Sequence, residues 1–343
     1  MKILIIGGGL IGCERLDALK LISINHSVDF DITVIDKNQE SLKLLKEKYN
    51  CNVYTKINDL DSSKYEWVFI CTPHSDAPEM IYKSFSLAKN ILVEKPLGRN
   101  LEECEKILDK KPKDVQLYVG LNYRFYLGIN KLLNHVKENY FGDIISVNMI
   151  LGHGNSPGME KSWKLDPILC GGGCLIDPGV HLLDLALLLS DTELKVKGGK
   201  FWNGFWKTGI EEEAHIYLVN ENNSIFNLQT SLNRWKSTFR IEVNGTEGYG
   251  IVNGRGRSYG NQEYITGKRW GWQSGGSQVD SEINHLENYS ADDSFYESML
   301  ALFSLESSQI TNNIILPAND NDGRKVMRLL KDCRLSLDIN DTC

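Results

Sequence analysis

The chain has 343 residues, of which 41% are hydrophobic and 24% charged, with a formal net charge of −7. This suits a soluble globular protein with a sizeable core, and the length suggests two domains. No Lys/Arg cluster supplies the basic field of a nucleic-acid binder, and no apolar run reaches the roughly 18 residues of a membrane span.

The first predicted element is a short β-branched strand, Lys2–Ile6. Gly7, Gly9 and Gly12 follow in the spacing GxGxxG. Residues 13–22 carry Leu16, Leu19 and Ile22 at helical spacing, and residues 31–36 form a second strand ending in Asp36, 24 positions after Gly12. A strand before, a helix after and an acidic residue about 20 positions on are the context that a dinucleotide site requires. A lipoprotein signal with Cys13 as the modified residue competes for the same letters, but Gly7-Gly8-Gly9 breaks the apolar core such a signal needs. In the dinucleotide reading Gly7 permits the tight turn, Gly9 lets a pyrophosphate approach the backbone, and Gly12 lets helix and strand pack closely. The phosphates then rest on the N–H groups that open the helix, at Leu10 and Ile11. Glu14 should point away from them. Asp36 would accept from the adenosine ribose hydroxyls, although Asp is also common where a strand turns. The expected cofactor is NAD; Lys37 is placed to reach a 2′-phosphate and leaves NADP open.

Alternation continues. Helices are predicted at Gln39–Tyr49, 77–88 and 101–108, and strands at 67–71, 90–94 and 116–121. This βα pattern means a mainly parallel, doubly wound sheet with helices on both faces. After about residue 125 the texture changes. A helix at 129–138 leads to a strand at 144–151, a Gly/Cys turn and one apolar helix, Val180–Leu189. Strands are then predicted at 214–219, 224–232, 239–243 and 249–252, with Asn244-Gly245 as a turn, which suggests an antiparallel sheet. Residues 253–290 read as irregular. Helices at 295–305 and 323–330 close the chain. The division expected is 1–124 and 125–343. The eight cysteines are scattered without a zinc spacing, so no metal is expected and they read as reduced thiols of a cytoplasmic protein.

Glu94-Lys95-Pro96 at a strand end resembles a motif of the Gfo/Idh/MocA oxidoreductases. So does Gly171-Gly172-Gly173-x-x-x-Asp177-x-Gly179-x-His181-x-x-Asp184. Further likenesses are Thr72-Pro73, Asn122-Tyr123-Arg124-Phe125 and Gly245-Thr246-Glu247-Gly248. The chain departs from the family at His74, where an Asn often stands, and lacks the usual Gly before the EKP strand. The resemblance implies a Rossmann domain followed by an α/β domain with an open, largely antiparallel sheet. It implies NAD- or NADP-dependent chemistry on sugars, cyclitols or nucleotide-linked sugars, and homo-oligomers, dimers or tetramers, formed through that sheet. For cofactor contacts it adds Cys71, Thr72, Pro73, Glu94, Lys95, Asn122 and Arg124 to the Gly-rich turn, Asp36 and Lys37. It also suggests a cis bond between Lys95 and Pro96. The segment from Gly152 to Trp163 is similar to members linked to bacterial surface polysaccharides, which favours a sugar derivative.

Oxidising a secondary alcohol requires that hydride leave carbon and a proton leave oxygen. The cofactor takes the hydride. His181 suits the base, and Lys95 suits the cation that stabilises the developing oxyanion. Asp177-Pro178 also reads as an ordinary N-cap with Pro at the first helical position, and His181 as a core histidine. The two readings of Asp177 are compatible, since a cap can still orient His181. Asp184, one turn on, faces the imidazole, the substrate or solvent. His153, Lys161 and Trp163 are candidates for substrate contact, or for a solvated loop. Trp202, Trp206, Trp235, Trp270 and Trp272 have no assigned role. Two other functions compete with the sugar dehydrogenase: a non-catalytic NAD(P)-binding regulator on the same scaffold, and a reductase of a non-sugar substrate.

Overall fold

The computed structural model describes residues 1–60, 64–269, 284–289, 292–305 and 315–337. The chain forms two compact units. The first begins with β1 (Lys2–Ile6), α1 (Leu10–His26), β2 (Asp31–Ile35), α2 (Gln39–Tyr49) and β3 (Asn52–Tyr54). It continues with β4 (Tyr65–Ile70), α3 (Ala77–Ser84), β5 (Ala88–Val93), α4 (Leu101–Lys110) and β6 (Gln116–Val119). The six strands are parallel, in the order β3-β2-β1-β4-β5-β6. Strands covered on both faces must be apolar throughout, which is why Ile3, Leu4, Ile5 and Ile6 are all buried in β1. The lipoprotein reading would remove this central strand. The helix predicted at 77–88 stops at Ser84, because Leu87 N–H bonds back to Ser84 O and Ala88 pairs with Tyr65 as the start of β5.

The second unit holds α5 (Leu127–Lys137), β7 (Ile144–Gly154), the short α6 (Pro167–Cys170) and α7 (Val180–Leu189). Its other strands are β8 (Lys195–Trp202), β9 (Glu213–Val219), β10 (Ile225–Ser231), β11 (Asn233–Gly245), β12 (Gly248–Asn253), β13 (Gln262–Lys268) and β14 (Asn284–Tyr289). The sheet order is β14-β13-β12-β11-β7-β10-β9-β8, antiparallel except for β7 with β10. One sheet face buries Val147, Met149, Leu151, Ile216, Leu218, Ile241 and Val243; Tyr217, on an alternate position of β9, is exposed. The stretch read as irregular, 253–290, contains β13 and β14. Its Gly and polar residues mask a period-two burial, Gln262, Tyr264 and Thr266 facing inward. Trp270 and Trp272 lie outside the described residues. β3 and β8 also went unpredicted; β8 is an edge strand that fully buries only Phe201. The turn placed at Asn244-Gly245 falls two residues later, at Thr246-Glu247, since Gly245 still pairs with Ile144 and β12 opens at Gly248.

The division expected after residue 124 fails at the far end. Phe295–Arg328 belongs to the first unit, not the second, and Ile168–Gly171 joins it there. The cause is the apolar side of α8 (Ser294–Ser304). Met299, Leu300, Leu302 and Phe303 complete the core around Ile3, Leu19 and Trp67. The Phe303 ring lies 5.8 Å from both Trp67 and Phe30. α9 (Asp320–Ser336) is longer than predicted at each end, and its Gly323 sits against Val119 and Leu97.

Candidate active site

Parallel strands present their C-terminal ends along one edge of the sheet, where open α/β sheets bind ligands. In sheet order these ends carry Asp36 after β2, Gly7 after β1, Thr72 after β4 and Lys95 after β5. From β2 to β5 is three strand spacings, roughly 14 Å. Gly7 adopts φ +103°, and a Cβ there would stand 2.6 Å from Cys71 O. A Cβ on Gly12 would stand 2.1 Å from Gly7 O. The protein itself therefore demands these two glycines. Gly9 differs: it caps α1 without a side-chain hydrogen bond, and nothing lies within 4 Å of where its Cβ would be. The open space stands before the unpaired backbone donors of the first helical turn, at Leu10 and Ile11. Glu14 falls beyond that turn.

Asp36 is half-buried; its Oδ2 accepts from Gly8 N–H at 2.6 Å and its Oδ1 from Asn38 N–H at 2.8 Å. A carboxylate has about four acceptor positions, so two remain for ribose hydroxyls. Thr72 Oγ1 is buried with no hydrogen-bond partner among the described residues. The open cradle at Gly9 and this orphaned hydroxyl fit a dinucleotide. Lys37 is 88% exposed and pairs with Asp76 at 2.9 Å.

Glu94, expected among the cofactor contacts, is occupied by structure. Its Oε1 accepts from Arg15 Nε at 2.9 Å and Nη2 at 2.7 Å, and Arg15 is almost fully buried. Arg15 also donates to Ser298 at 3.0 Å and lies 4.8 Å over the Phe295 ring. Glu94 thus ties α1 and α8 to the end of β5 and fixes the backbone just before Lys95. Lys95 is half-buried and joined to Pro96 by a cis bond. Burial pushes the Cys71 thiol far up, which keeps it protonated. Pro73 O accepts from Asp76 and Ala77 N–H at the start of α3. His74, where the family often has Asn, has its Nδ1 2.8 Å from Cys170 O, just before the Gly-rich turn.

In the second unit that turn is locked from behind. A Cβ on Gly173 would stand 1.8 Å from Glu211 O, and Cys174 N–H donates to the same oxygen at 2.8 Å. Asp177 N–H donates to Gly173 O at 3.0 Å, and the Asp177–Pro178 bond is cis. The predicted N-cap role is wrong: α7 starts at Val180 and its cap residue is Gly179. Asp177 belongs to the turn's own hydrogen-bonding, and its Oδ2 pairs with Lys164 Nζ at 3.2 Å. His181 is buried and stacks on Tyr123, with ring centroids 3.7 Å apart and planes 8° apart. Burial holds the Tyr123 hydroxyl well above its ordinary range.

Arg124 and Asp184, assigned in the sequence to cofactor and to imidazole or substrate, meet each other. Arg124 Nε donates to Asp184 Oδ2 at 2.7 Å and Nη2 to Oδ1 at 2.5 Å, both residues buried. Asn122 is buried at the end of the first unit. His153 follows the buried part of β7. Burial lowers its pKa; the Asp177 charge opposes this, and Lys164 and Arg255 add to it. Lys161 is exposed, and Trp163 has Lys164 Nζ 5.9 Å over its ring. The second unit therefore gathers His153, Lys164, Asp177, Tyr123 and Arg255 into one coupled set. Lys164 and Arg255 carried no recognisable sequence signal. Tyr123 lay inside a quoted motif without a role, although an aromatic next to a junction is a reasonable platform.

Residues 1–121 match the profile described as "Oxidoreductase family, NAD-binding Rossmann fold", and residues 129–250 match "GFO/IDH/MocA C-terminal domain". Glucose-6-phosphate 3-dehydrogenase of Bacillus subtilis is 26% identical over 240 residues, 67% of this chain and 67% of that protein. Levoglucosan dehydrogenase, solved with NADH, superposes with a TM-score of 0.82 at 18% identity, covering 98% of this chain and 96% of that one. A 3-ketoreductase from Actinomadura kijaniata, solved with NADP and TDP-benzene, gives 0.77 at 16% identity, covering 98% of each chain.

Proposed function

The chain belongs to the Gfo/Idh/MocA family of NAD(P)-dependent oxidoreductases, and on that premise we propose that it transfers hydride between NAD and a secondary alcohol or ketone carbon of a sugar or sugar derivative. The observation that carries this reading is the order of groups along the sheet edge. Asp36, the Gly-rich turn, Thr72 and Lys95 succeed one another over roughly 14 Å, a span suited to a dinucleotide with its reactive end at Lys95. NAD, when bound, supplies the hydride acceptor. Asp36 would take the ribose hydroxyls, and the first turn of α1 the phosphates. Lys95 donates to the substrate oxygen as negative charge develops there. His181 removes the hydroxyl proton, its ring held flat by the Tyr123 stack. Asp177, balanced by Lys164, tunes the field in which that proton moves, and His153 offers a hydrogen bond to a further hydroxyl. A nucleotide-linked sugar is the finer form of the same reading, as is assembly into dimers or tetramers through the exposed side of the second sheet, in the cytoplasm. Light scattering in solution tests the assembly.

The function is tested by turnover. A positioned acid–base is worth about 10²–10⁴-fold in rate. His181→Ala and Lys95→Ala should each lower turnover of a sugar or polyol with NAD by at least about two orders of magnitude. NAD affinity should stay nearly unchanged in His181→Ala. Retention of most activity by His181→Ala would make His181 a core histidine. NAD binding without turnover of any sugar would make the protein a cofactor-binding regulator.

A further inference from the structure

The loop between β12 and β13 carries Arg255. It is pinned at both sides: Gly254 N–H donates to Phe239 O and Gly256 N–H to Gly260 O, each at 2.8 Å. The guanidinium is caged by tyrosines. Its Cζ lies 3.9 Å over the Tyr259 ring and 5.1 Å over the Tyr123 ring, and Nη1 donates to Tyr126 Oη at 2.9 Å. Its Nε is buried with no hydrogen-bond partner among the described residues. Among the described residues no carboxylate pairs with it; Asp292, the acid beyond the loop, is held by Arg257 at 3.2 Å. A guanidinium withdrawn from water is costly unless a charge partner meets it, and three neutral phenols do not supply one. The cage instead fixes the plane of the fork, while the residue as a whole stays half-buried and can meet an acceptor from outside. A planar fork suits carboxylate and phosphate oxygens, which it can grip in two-pronged fashion. The position matters as much as the charge. Tyr123 borders Arg255 and also stacks on His181, while His153 feels both Arg255 and Asp177.

We propose that Arg255 is the anion-recognition residue of this site, and that the substrate carries a carboxylate or phosphate which its guanidinium receives. This rests on the second unit's cluster being the substrate site, as set out above. The ligand class is thus an acidic sugar, a uronate or a sugar phosphate, and not a neutral polyol.

The experiment is calorimetric titration of the NAD-loaded full chain with matched hexose sets in gluco, galacto and manno configuration. Each set contains the neutral hexose, its 6-phosphate and its uronate, so that the phosphate and carboxylate arms are read separately. At least one anionic member should bind tenfold or more tighter than its neutral parent. Arg255→Met should reduce that advantage to less than twofold while NAD affinity is kept. Arg255→Lys keeps the charge and loses the fork; it should reduce the advantage at least threefold, and it serves should Arg255→Met not fold. Equal binding of neutral and anionic members in every set, no binding by any anionic member, or an advantage that survives these variants overturns the proposal. Oxidation of a neutral sugar alone would overturn it and leave the oxidoreductase reading standing. Arg255-dependent binding of an acidic sugar that is never oxidised would do the reverse.

Discussion

At the scale of single residues, Asp36 is, under the proposed function, the group that decides between the two nicotinamide cofactors. Its carboxylate is anchored by two backbone N–H groups, so it cannot swing away from an incoming 2′-phosphate without losing both. Lys37, the residue that favours NADP, is mostly exposed and already drawn to Asp76. Charge and hydrogen-bond differences of roughly 1–3 kcal/mol correspond to a preference for NAD of about fivefold to 150-fold. Fluorescence titration of both cofactors should show this preference, and Asp36→Ala should bring the two affinities within a few-fold. Equal affinities in the unaltered protein would move attention to Lys37. The glycines make a second contrast. Gly12→Ala forces a Cβ against Gly7 O and should lower the melting temperature sharply. Gly9→Ala meets open space, so the protein should melt as before and yet bind NAD at least tenfold more weakly (about 1.4 kcal/mol). Loss of stability in Gly9→Ala would mean that the turn, and not a ligand, requires that glycine.

At the scale of elements, α5 and β7 each carry a histidine whose pKa burial lowers. His135 on α5 has its Nδ1 2.6 Å from Tyr264 Oη and packs on Tyr140, and His153 ends the buried part of β7. Both take up a proton less readily folded than unfolded. As pH falls through the unfolded value of about 6.5, the unfolded chain binds protons first, so acidification favours it. The stabilisation is complete above that pH and is lost on descending towards the lower folded values. Melting temperatures measured from pH 8 to 5.5 should fall below about pH 6.5, and His135→Gln should flatten part of the fall. A variant as acid-sensitive as the parent would exclude His135 as a source. Element by element, the sequence was legible wherever burial and periodicity agree. β1 and α7 match their predicted spans because each is nearly all apolar. β8 escaped because Gly and Lys occupy most of its positions, and β13 because its inward Gln262 and Thr266 are polar.

At the scale of the whole molecule, α8 makes the first unit dependent on residues far along the chain. Phe303 is 6% exposed and its ring touches Phe30, Trp67 and Phe69. Phe303→Ala should cost about 3–5 kcal/mol, read from denaturant unfolding followed by NAD binding. A fragment of residues 1–124, the natural cut by sequence alone, lacks Met299, Leu300, Leu302 and Phe303. It should aggregate or fail to bind NAD. A stable, NAD-binding fragment would show that α8 is only an accessory cover.

The sequence by itself determined the nucleotide half of this protein: the GxGxxG turn, Asp36 and the strand-end Lys95 are local patterns, and the backbone geometry they need is set within a few residues. It also determined the oxidoreductase family. What only the tertiary structure decided involves partners distant in sequence. The apolar face of α8 does not say which sheet it will cover. Arg124 does not name Asp184 as its counter-ion. Glu94 does not show that Arg15 holds it. The cage of Arg255 is built from Tyr123, Tyr126 and Tyr259, drawn from separate parts of the chain. Periodicity encodes how far a side chain is buried; only the folded chain settles beside which charge it is buried.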